Sequence, residues 1–251
     1  MFGNVQIDGA GASAKDSIVV QLSLVGDSGI SSTATASYLG QGRFALSYTC
    51  TKSGSYTMSI AINGGASVQR SGAVTIVHAA AVAATSQLSA VSATSCIAGR
   101  DITFAVQLRD AYGNDCTSIT TSSGLAISLG NAGSQVWSYH FVGLGSGSFQ
   151  GTFEPRTSGS YDLKVKFAST LVQSGELAVT VSGSSTDHSK CIVDVSGSGL
   201  AQNGTAGATV SFEISTFDAF SNAVDNGSDD VFTFSLDGGD GNRARFLRFV
   251  S

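Results

Sequence analysis

The stretch Arg109–Asn114 reads Arg-Asp-Ala-Tyr-Gly-Asn and follows an alternating apolar run from Ile102 to Leu108. Such a run predicts a β-strand with one buried face, and the polar, glycine-containing stretch after it predicts a turn. The same pattern recurs at Thr216–Asn222, and a shorter match, Phe-Gly-Asn, stands at Phe2–Asn4. The aligned asparagines are 110 and then 108 residues apart, which predicts a tandem array of small domains.

Apolar residues alternate with a period of two through the rest of the chain, and no segment has a clear period of 3.6. This favours antiparallel strands with one buried face. The interval 80–182 contains seven such segments, and seven short strands in about a hundred residues are typical of an immunoglobulin-like two-sheet sandwich. The segments lie at 87–91, 102–108, 125–129, around Trp137, and at 149–153, 161–167 and 177–181.

The repeats predict three domains. Residues 1–79 repeat the second half of the complete unit at an offset of 105 residues, with Phe44 and Tyr48 in the places of Phe149 and Phe153. We therefore expect a partial repeat at 1–79 without its first strands, a complete repeat at 80–182, and a partial repeat at 183–251 without its last strands. Both ends would then fall inside a repeat, as in a piece of a longer protein. The short linkers predict a semi-rigid rod.

Several of these motifs together resemble filamin-type immunoglobulin-like repeats. They are the Ala-Gly pair at 98–99, which recurs at 206–207, the stretch 109–114, Gly-x-Gly-x-Phe at 145–149 and Ser-Gly-Ser-Tyr at 158–161. The resemblance implies all-β, tandem β-sandwich domains in a rod, used for scaffolding and partner binding. Such repeats occur in cytoplasmic actin cross-linkers and in long surface or flagellar-hair proteins of algae and protists. Low charge, a single proline and loop cysteines depart from the cytoplasmic members, and no actin-binding domain is present.

Composition argues against several kinds of partner. The chain carries a net charge of -5, and its 13 Lys and Arg residues are mostly scattered singly, so no basic patch for nucleic acid is predicted. No run of eighteen apolar residues and no signal peptide occur, so direct membrane insertion by this sequence is not expected. Because 42% of the residues are hydrophobic and regularly spaced, the chain is expected to fold.

The four cysteines do not recur at the repeat period. Cys50 aligns with Pro155, and Cys116 aligns with Val224. In a seven-strand sandwich, strand direction places Cys50 at the C-terminal end of the first unit and Cys116 at the facing end of the second. The same reasoning places Cys96 and Cys191 at the next junction. We therefore predict two inter-domain disulfides, Cys50 to Cys116 and Cys96 to Cys191, which need an oxidising compartment. The alternative is four free thiols in a reducing compartment.

Two sequons, Asn203-Gly204-Thr205 and Asn226-Gly227-Ser228, are candidate N-glycosylation sites in the third unit. Asn-x-Ser/Thr triplets arise by chance in a sequence this rich in Ser and Thr. Together with the cysteines and the low charge, they favour an extracellular or cell-surface protein.

No catalytic, cofactor or metal site is predicted. Gly26–Gly29, Gly-Asp-Ser-Gly, matches the surroundings of a protease nucleophile, but a polar turn at Ser28 is favoured. The Gly143–Gly147 stretch recurs as a turn in the first unit, which argues against a phosphate loop. We expect the three histidines, His78, His140 and His188, to be exposed. The acidic residues of the third unit are expected to lie in solvated turns: Asp225, Asp229, Asp230, Asp237 and Asp240. Trp137, Tyr139 and Phe141 are expected to be packing residues.

The expected function is that of a non-enzymatic structural protein, a rod segment of an extracellular filament, flagellar hair or cell-surface coat. Its expected partners are other copies of itself or fibre proteins, through exposed edge strands. Two alternatives remain open, an adhesion ectodomain, for example in gamete contact, and a cytoplasmic filamin-like scaffold.

Overall fold

The computed structural model describes residues 18–25, 27–62, 68–130, 137–194, 212–225, 230–237 and 243–250. All regular structure in these residues is β-strand, and none of them belongs to a helix that could cross a membrane. The strands are β1 (Ile18–Leu24), β2 (Asp27–Gly40), β3 (Arg43–Tyr48), β4 (Gly54–Ile62), β5 (Val68–Ile76), β6 (Gln87–Ser89), β7 (Ser95–Ile97), β8 (Ile102–Gln107), β9 (Leu125–Gly130), β10 (Trp137–Gly145), β11 (Ser148–Pro155), β12 (Gly159–Phe167), β13 (Thr170–Ser182), β14 (Ile192–Asp194), β15 (Glu213–Ser215), β16 (Val231–Asp237) and β17 (Arg243–Val250).

The strands β1 to β5, which we call module 1, form one antiparallel sheet in the order β3-β2-β1-β4-β5. The first half of β2 pairs with β1 and the second half pairs with β3, so this one long strand joins the two halves of the sheet. Val20 and Leu22 of β1 and Tyr56 of β4 form a small buried apolar cluster within this module.

Strands β6 to β13, which we call module 2, form a two-layer sandwich. One layer runs β10-β11-β8-β6 and the other contains β9, β12, β13 and β7, with β6 bonded to both β8 and β13. Every second residue of β8 is buried between the layers, at Ile102, Phe104 and Val106, and Leu108 continues the pattern. The alternating run therefore forms the predicted strand, and its buried face is the centre of the largest core cluster in the described residues.

Strands β14 to β17, which we call module 3, form two antiparallel pairs, β14 with β15 and β16 with β17. The all-β prediction is confirmed for these strands. The proposed bounds of the three domains, at 79–80 and 182–183, stay a prediction, although strand pairing in the described residues falls within 18–76, 87–182 and 192–250.

The structure differs from the sequence-based expectation in the number of strands in module 2. The expected lead-in strand at 87–91 forms β6, and β7 after it was not predicted, which makes eight strands rather than seven. Ala90, just after β6, has a positive φ of 51°, a rare conformation for a residue other than glycine. Before this residue β6 pairs antiparallel with β8, and after it β7 pairs parallel with β13 in the other layer.

Two further expectations need correction. Leu46 and Tyr48 on β3 are 37% and 40% exposed, whereas Phe153, the counterpart of Tyr48, is fully buried. The reason is pairing: β11 is flanked by both β10 and β8, but β3 pairs only with β2 among the described residues. Ser28 does not lie in a turn, because β2 already begins at Asp27, which pairs with Leu24 across a tight connection.

Gly151 on β11 is a packing requirement of the module 2 core. A Cβ at this position would lie 2.3 Å from the Phe104 ring and 2.9 Å from the Phe141 ring. We expect Gly151→Ala to lower the free energy of unfolding of module 2 by about 1–3 kcal/mol, because the methyl group overpacks the core. Trp137 is the only tryptophan, so urea unfolding followed by its fluorescence reports on this module.

Gln150→Ala is the matched control, since the neighbouring Gln150 side chain is exposed. We expect a change within about 0.5 kcal/mol for this variant. Equal stability of Gly151→Ala and wild type would show that the two phenylalanine rings can move apart at no cost.

Candidate functional site: the junctions between modules

The turn after β8 holds a carboxylate that is buried although it is charged. Asp110 is fully buried and Asn114, four residues later, is 2% exposed. The turn closes through Asn114 O, which accepts the Asp110 N–H at 2.9 Å, and through Asp110 O, which accepts the Gly113 N–H at 2.9 Å. Gly113 has a positive φ of 80°, which glycine adopts at little cost. We call residues 110–114 the receiving turn.

The Asp110 carboxylate accepts four hydrogen bonds. Oδ1 accepts the backbone N–H groups of Tyr112 and Asn114, each at 2.9 Å. Oδ2 accepts the Asn114 side-chain amide at 2.9 Å and the backbone N–H of Ala79 at 2.9 Å. Ala79 lies in the linker between β5 and β6, so the carboxylate fixes the linker to module 2.

The Asn114 carboxamide binds module 1 directly. Its Nδ2 donates to the Thr51 carbonyl at 2.7 Å, and its Oδ1 accepts the Ser53 N–H at 3.0 Å. Both partners belong to the loop between β3 and β4, and we call residues 51–53 the exit loop of module 1. The buried Tyr56 hydroxyl braces this loop by donating to the Lys52 carbonyl at 2.7 Å. Module 1 and module 2 are therefore joined by direct hydrogen bonds.

The second junction repeats this arrangement atom for atom. Asp218 is fully buried, Asn222 is 5% exposed, and a receiving turn at 218–222 binds the exit loop of module 2, residues 156–158. The Asp218 carboxylate accepts the backbone N–H groups of Phe220, Asn222 and Ser184, each at 2.9 Å, and the side-chain amide of Asn222 at 2.8 Å. The Asn222 amide also donates to the Arg156 carbonyl at 2.9 Å, and its Oδ1 accepts the Ser158 N–H at 2.7 Å. We call each such set of contacts a junction clamp.

Hydrogen bonding determines the ionisation of both aspartates. Burial alone would raise the pKa of Asp110, but the four hydrogen bonds from Asn114, Ala79 and Tyr112 outweigh it and lower the pKa to about 2. The pKa of Asp218 is also lowered, because its equivalent bonds from Asn222, Ser184 and Phe220 outweigh burial. Both carboxylates are thus charged at neutral pH, where each is a strong acceptor.

The aromatic residue of each receiving turn distinguishes the two junctions. Tyr112 at the first junction is 62% exposed. Phe220 at the second packs on Gly99, where an added Cβ would lie 2.8 Å from the ring, and the Arg156 guanidinium lies 5.9 Å from the ring centroid. The second junction therefore adds an apolar and a cation–π contact to the clamp.

A histidine adds a contact at the first junction. The Ser118 N–H donates to His78 Nε2 at 3.3 Å, so Nε2 carries the lone pair and Nδ1 carries the proton, which is donated to Ala79 O at 2.7 Å. The Ser118 hydroxyl also lies 2.7 Å from Nε2. His78 thus ties the linker to module 2. His140 and His188 are exposed, as expected.

The first pair of predicted disulfide partners lies near the first clamp, and both cysteines are free thiols. Cys50 precedes the exit loop and packs against the apolar cluster of module 1. Cys116 follows the receiving turn, is buried in the module 2 core, and has its Sγ 3.9 Å from Ala79 O. The predicted meeting of the two loops is confirmed by the Thr51–Asn114 hydrogen bond. The bridge between Cys50 and Cys116 stays a prediction.

The second pair is also free, and its pairing stays a prediction. Cys96 lies in β7 and is partly buried against the module 2 core. Cys191 stands 105 residues after Ser86 and is its counterpart in the next repeat. The Ser86 hydroxyl donates to the Val82 carbonyl at 2.8 Å, and Cys191 Sγ makes the equivalent contact, at 3.4 Å, with the Asp187 carbonyl. Cys191 thus bonds within its own turn.

The other sequence candidates have structural surroundings or lie outside the described residues. Trp137 and Phe141 pack against Phe153 and Phe104 at 5.8 and 6.0 Å between ring centroids, whereas Tyr139 stacks on Trp137 and is 42% exposed. The Gly143–Gly147 stretch forms the connection between β10 and β11, as predicted. Both sequon asparagines, Asn203 and Asn226, and the motif at 2–4 lie outside the described residues, as do Asp229 and Asp240.

Acidic residues of module 3 do not form a metal site in the part of the chain that the structure describes. Asp230 accepts a hydrogen bond from the Thr186 hydroxyl, and Asp225 is exposed. Asp237 ends β16. In the described ranges no three His, Cys, Asp or Glu side chains come together as metal ligands.

From the sequence, the Asp-x-x-x-Asn stretch predicts only a turn. The signal that could have identified it is the recurrence of both polar residues at the same spacing, Asp110 with Asn114 and Asp218 with Asn222. A turn alone requires neither side chain to be buried, so this shared pair indicates a common partner.

Comparison with known proteins supports the fold. No family model and no curated protein matches the chain. The adhesin FdeC of Escherichia coli is similar over 96% of this chain and 76% of its own, with a TM-score of 0.54 and 19% identity. InvD of Yersinia pseudotuberculosis is similar over 94% and 72%, with a TM-score of 0.48 and 15% identity. The Lin-41 filamin domain covers 41% of this chain and 97% of its own, with a TM-score of 0.34 and 22% identity.

Identities this low bear on the fold alone. The fold is all-β, with immunoglobulin-like β-sandwich domains in tandem, as the two-layer sandwich of module 2 and the similarity to FdeC show.

Proposed function

We propose that this protein is a non-enzymatic structural segment of a cell-surface or extracellular filament, in which clamped immunoglobulin-like modules form a semi-rigid rod. The observation that carries the proposal is the junction clamp, which recurs with the same atoms at both junctions. Each clamp orders an inter-domain linker and an exit loop around a buried charge. Default inter-domain contacts permit relative motion, whereas these bonds hold each neighbouring pair in one orientation.

Composition supports an extracellular or surface location. Only 12% of the residues are charged, and the fold is similar to that of a bacterial adhesin. N-glycans at Asn203 and Asn226 and inter-domain bridges from Cys50 to Cys116 and from Cys96 to Cys191 belong to this proposal. Its proposed partners are further copies of the same chain or other fibre proteins, in a surface coat or flagellar hair.

Stiffness is the first test. We expect small-angle X-ray scattering and electron microscopy of the wild-type chain to show extended particles with a narrow distribution of inter-module angles. Asn114→Asp and Asn222→Asp keep the side-chain shape but replace the donating amide with an oxygen that repels Thr51 O and Arg156 O, and also the Asp110 and Asp218 carboxylates of the receiving turns. We expect the double variant to show a broader distribution, with each module still folded. Equally broad angles in the wild type would overturn the proposed rod.

Location is the second test. Non-reducing peptide mapping of the native protein, with and without enzymatic removal of N-glycans, is expected to find cross-linked cysteine peptides and a mass loss at the two sequons. Four reduced thiols without glycans would instead favour the cytoplasmic scaffold. Stiff surface monomers that bind cells through one loop patch, without forming filaments, would favour the adhesion ectodomain.

A further inference from the structure

We infer that the receiving turn recognises polypeptide backbone and joins any module of this kind to the next, whatever the sequence of the exit loop. The partner is thus the exit loop of an immunoglobulin-like module, presenting a carbonyl and, two residues later, an N–H group. This inference deepens the proposed function, since both depend on the junction clamp, but the test below follows the clamp alone and does not depend on where the protein is located or whether it forms filaments.

All partner atoms outside the receiving turn are backbone atoms. At the first clamp they are Thr51 O, Ser53 N and Ala79 N. At the second clamp they are Arg156 O, Ser158 N and Ser184 N. Equivalent distances at the two clamps differ by at most 0.3 Å, although threonine is exchanged for arginine and alanine for serine. The clamp therefore tolerates different side chains at the first position of the exit loop and in the linker, whereas the third partner residue is serine at both clamps.

The chemistry of the two side chains explains this independence. A carboxamide has one donor group and one acceptor, like a peptide group, so Asn114 and Asn222 can each pair with a carbonyl and an N–H group that an exit loop presents two residues apart. The aspartate accepts only N–H groups, which every residue except proline supplies. The only proline of the chain, Pro155, directly precedes an exit loop and is not one of the donors.

Each exit loop is also braced by a hydrogen bond from within its own module. The hydroxyl of Tyr56 donates to Lys52 O at 2.7 Å, and that of Tyr161, 105 residues later, donates to Thr157 O at 2.8 Å. Each tyrosine belongs to the same module as the loop that it braces. Loop shape is therefore set inside the preceding module, and the receiving turn needs only the backbone groups that this shape presents.

Exchanging the partner residues of one junction for those of the other tests the inference in the full chain. The triple variant Thr51→Arg, Lys52→Thr and Ala79→Ser gives module 1 the loop and linker residues of module 2. We expect the hydrogen-exchange protection of the Ser53 amide to stay within about threefold of wild type, because every hydrogen bond is kept. The matched variant Asn114→Ala removes the acceptor of that amide, and we expect protection to fall at least tenfold.

Protection of amides in β1 and β4 shows that module 1 remains folded in both variants. A loss of Ser53 protection in the triple variant comparable to that in Asn114→Ala would show that the junction reads side chains, and would overturn the inference. Unchanged protection in Asn114→Ala would show that the carboxamide does not hold the exit loop, and would overturn it equally.

Discussion

Replacing Asp110 with alanine is expected to lower the free energy of unfolding of module 2 by about 3 kcal/mol. The substitution removes a buried carboxylate and leaves the N–H groups of Ala79, Tyr112 and Asn114 without their acceptor. Each buried donor left unsatisfied costs about 1–3 kcal/mol, and relaxation of the turn recovers part of the sum. Urea unfolding followed by Trp137 fluorescence measures the effect.

Asp115→Ala is the matched control for this variant. Asp115 accepts from Arg109 Nε at 2.9 Å in an ion pair with partly exposed side chains. Exposed pairs of this kind contribute about 0–1 kcal/mol, so we expect a small change. If the two alanine variants were equally stable, the buried carboxylate would not be what orders the receiving turn.

Acid is expected to weaken module 2 as the pH falls from about 4 to about 2, and this response should depend on Asp110. Its pKa is about 2 in the folded protein and about 3.9 in an unfolded chain. Because the folded pKa is the lower one, the carboxylate stabilises the fold fully above the unfolded value, and this stabilisation is lost as pH falls through about 2. Over that window its contribution is about 2 kcal/mol.

The measurement compares wild type with Asp110→Asn, which keeps the shape and cannot ionise. Urea unfolding at pH 6 and pH 2 should show a loss of stability on acidification that is about 2 kcal/mol smaller in the variant. Asp115→Asn removes the same unit of charge from an exposed position and should retain the wild-type response. An equal acid response in wild type and Asp110→Asn would contradict the lowered pKa. Asp218 is expected to shift the stability of module 3 in the same direction.

The strands were predictable because alternation is a local property of the chain. The run from Ile102 to Leu108 indicated both the strand and its buried face, and the burial of Ile102, Phe104, Val106 and Leu108 agrees with it. The positive φ of Ala90 was not predictable, because no glycine or proline marks the position and the change from pairing with β8 to pairing with β13 is a tertiary feature. The exposure of Tyr48 was missed for a similar reason, since it depends on which strand lies beside β3.

The sequence by itself determined the all-β class and the tandem repeat, since the period of two and the turn residues are local patterns and the repeat is visible when the sequence is aligned with itself. Only the tertiary structure decided what Asp110 and Asn114 do. Their partners Ala79 and Thr51 lie 31 and 63 residues earlier and contribute only backbone atoms, which every residue has. A contact made to such atoms leaves no requirement in the partner's sequence, so it becomes visible only when folding brings the two modules together.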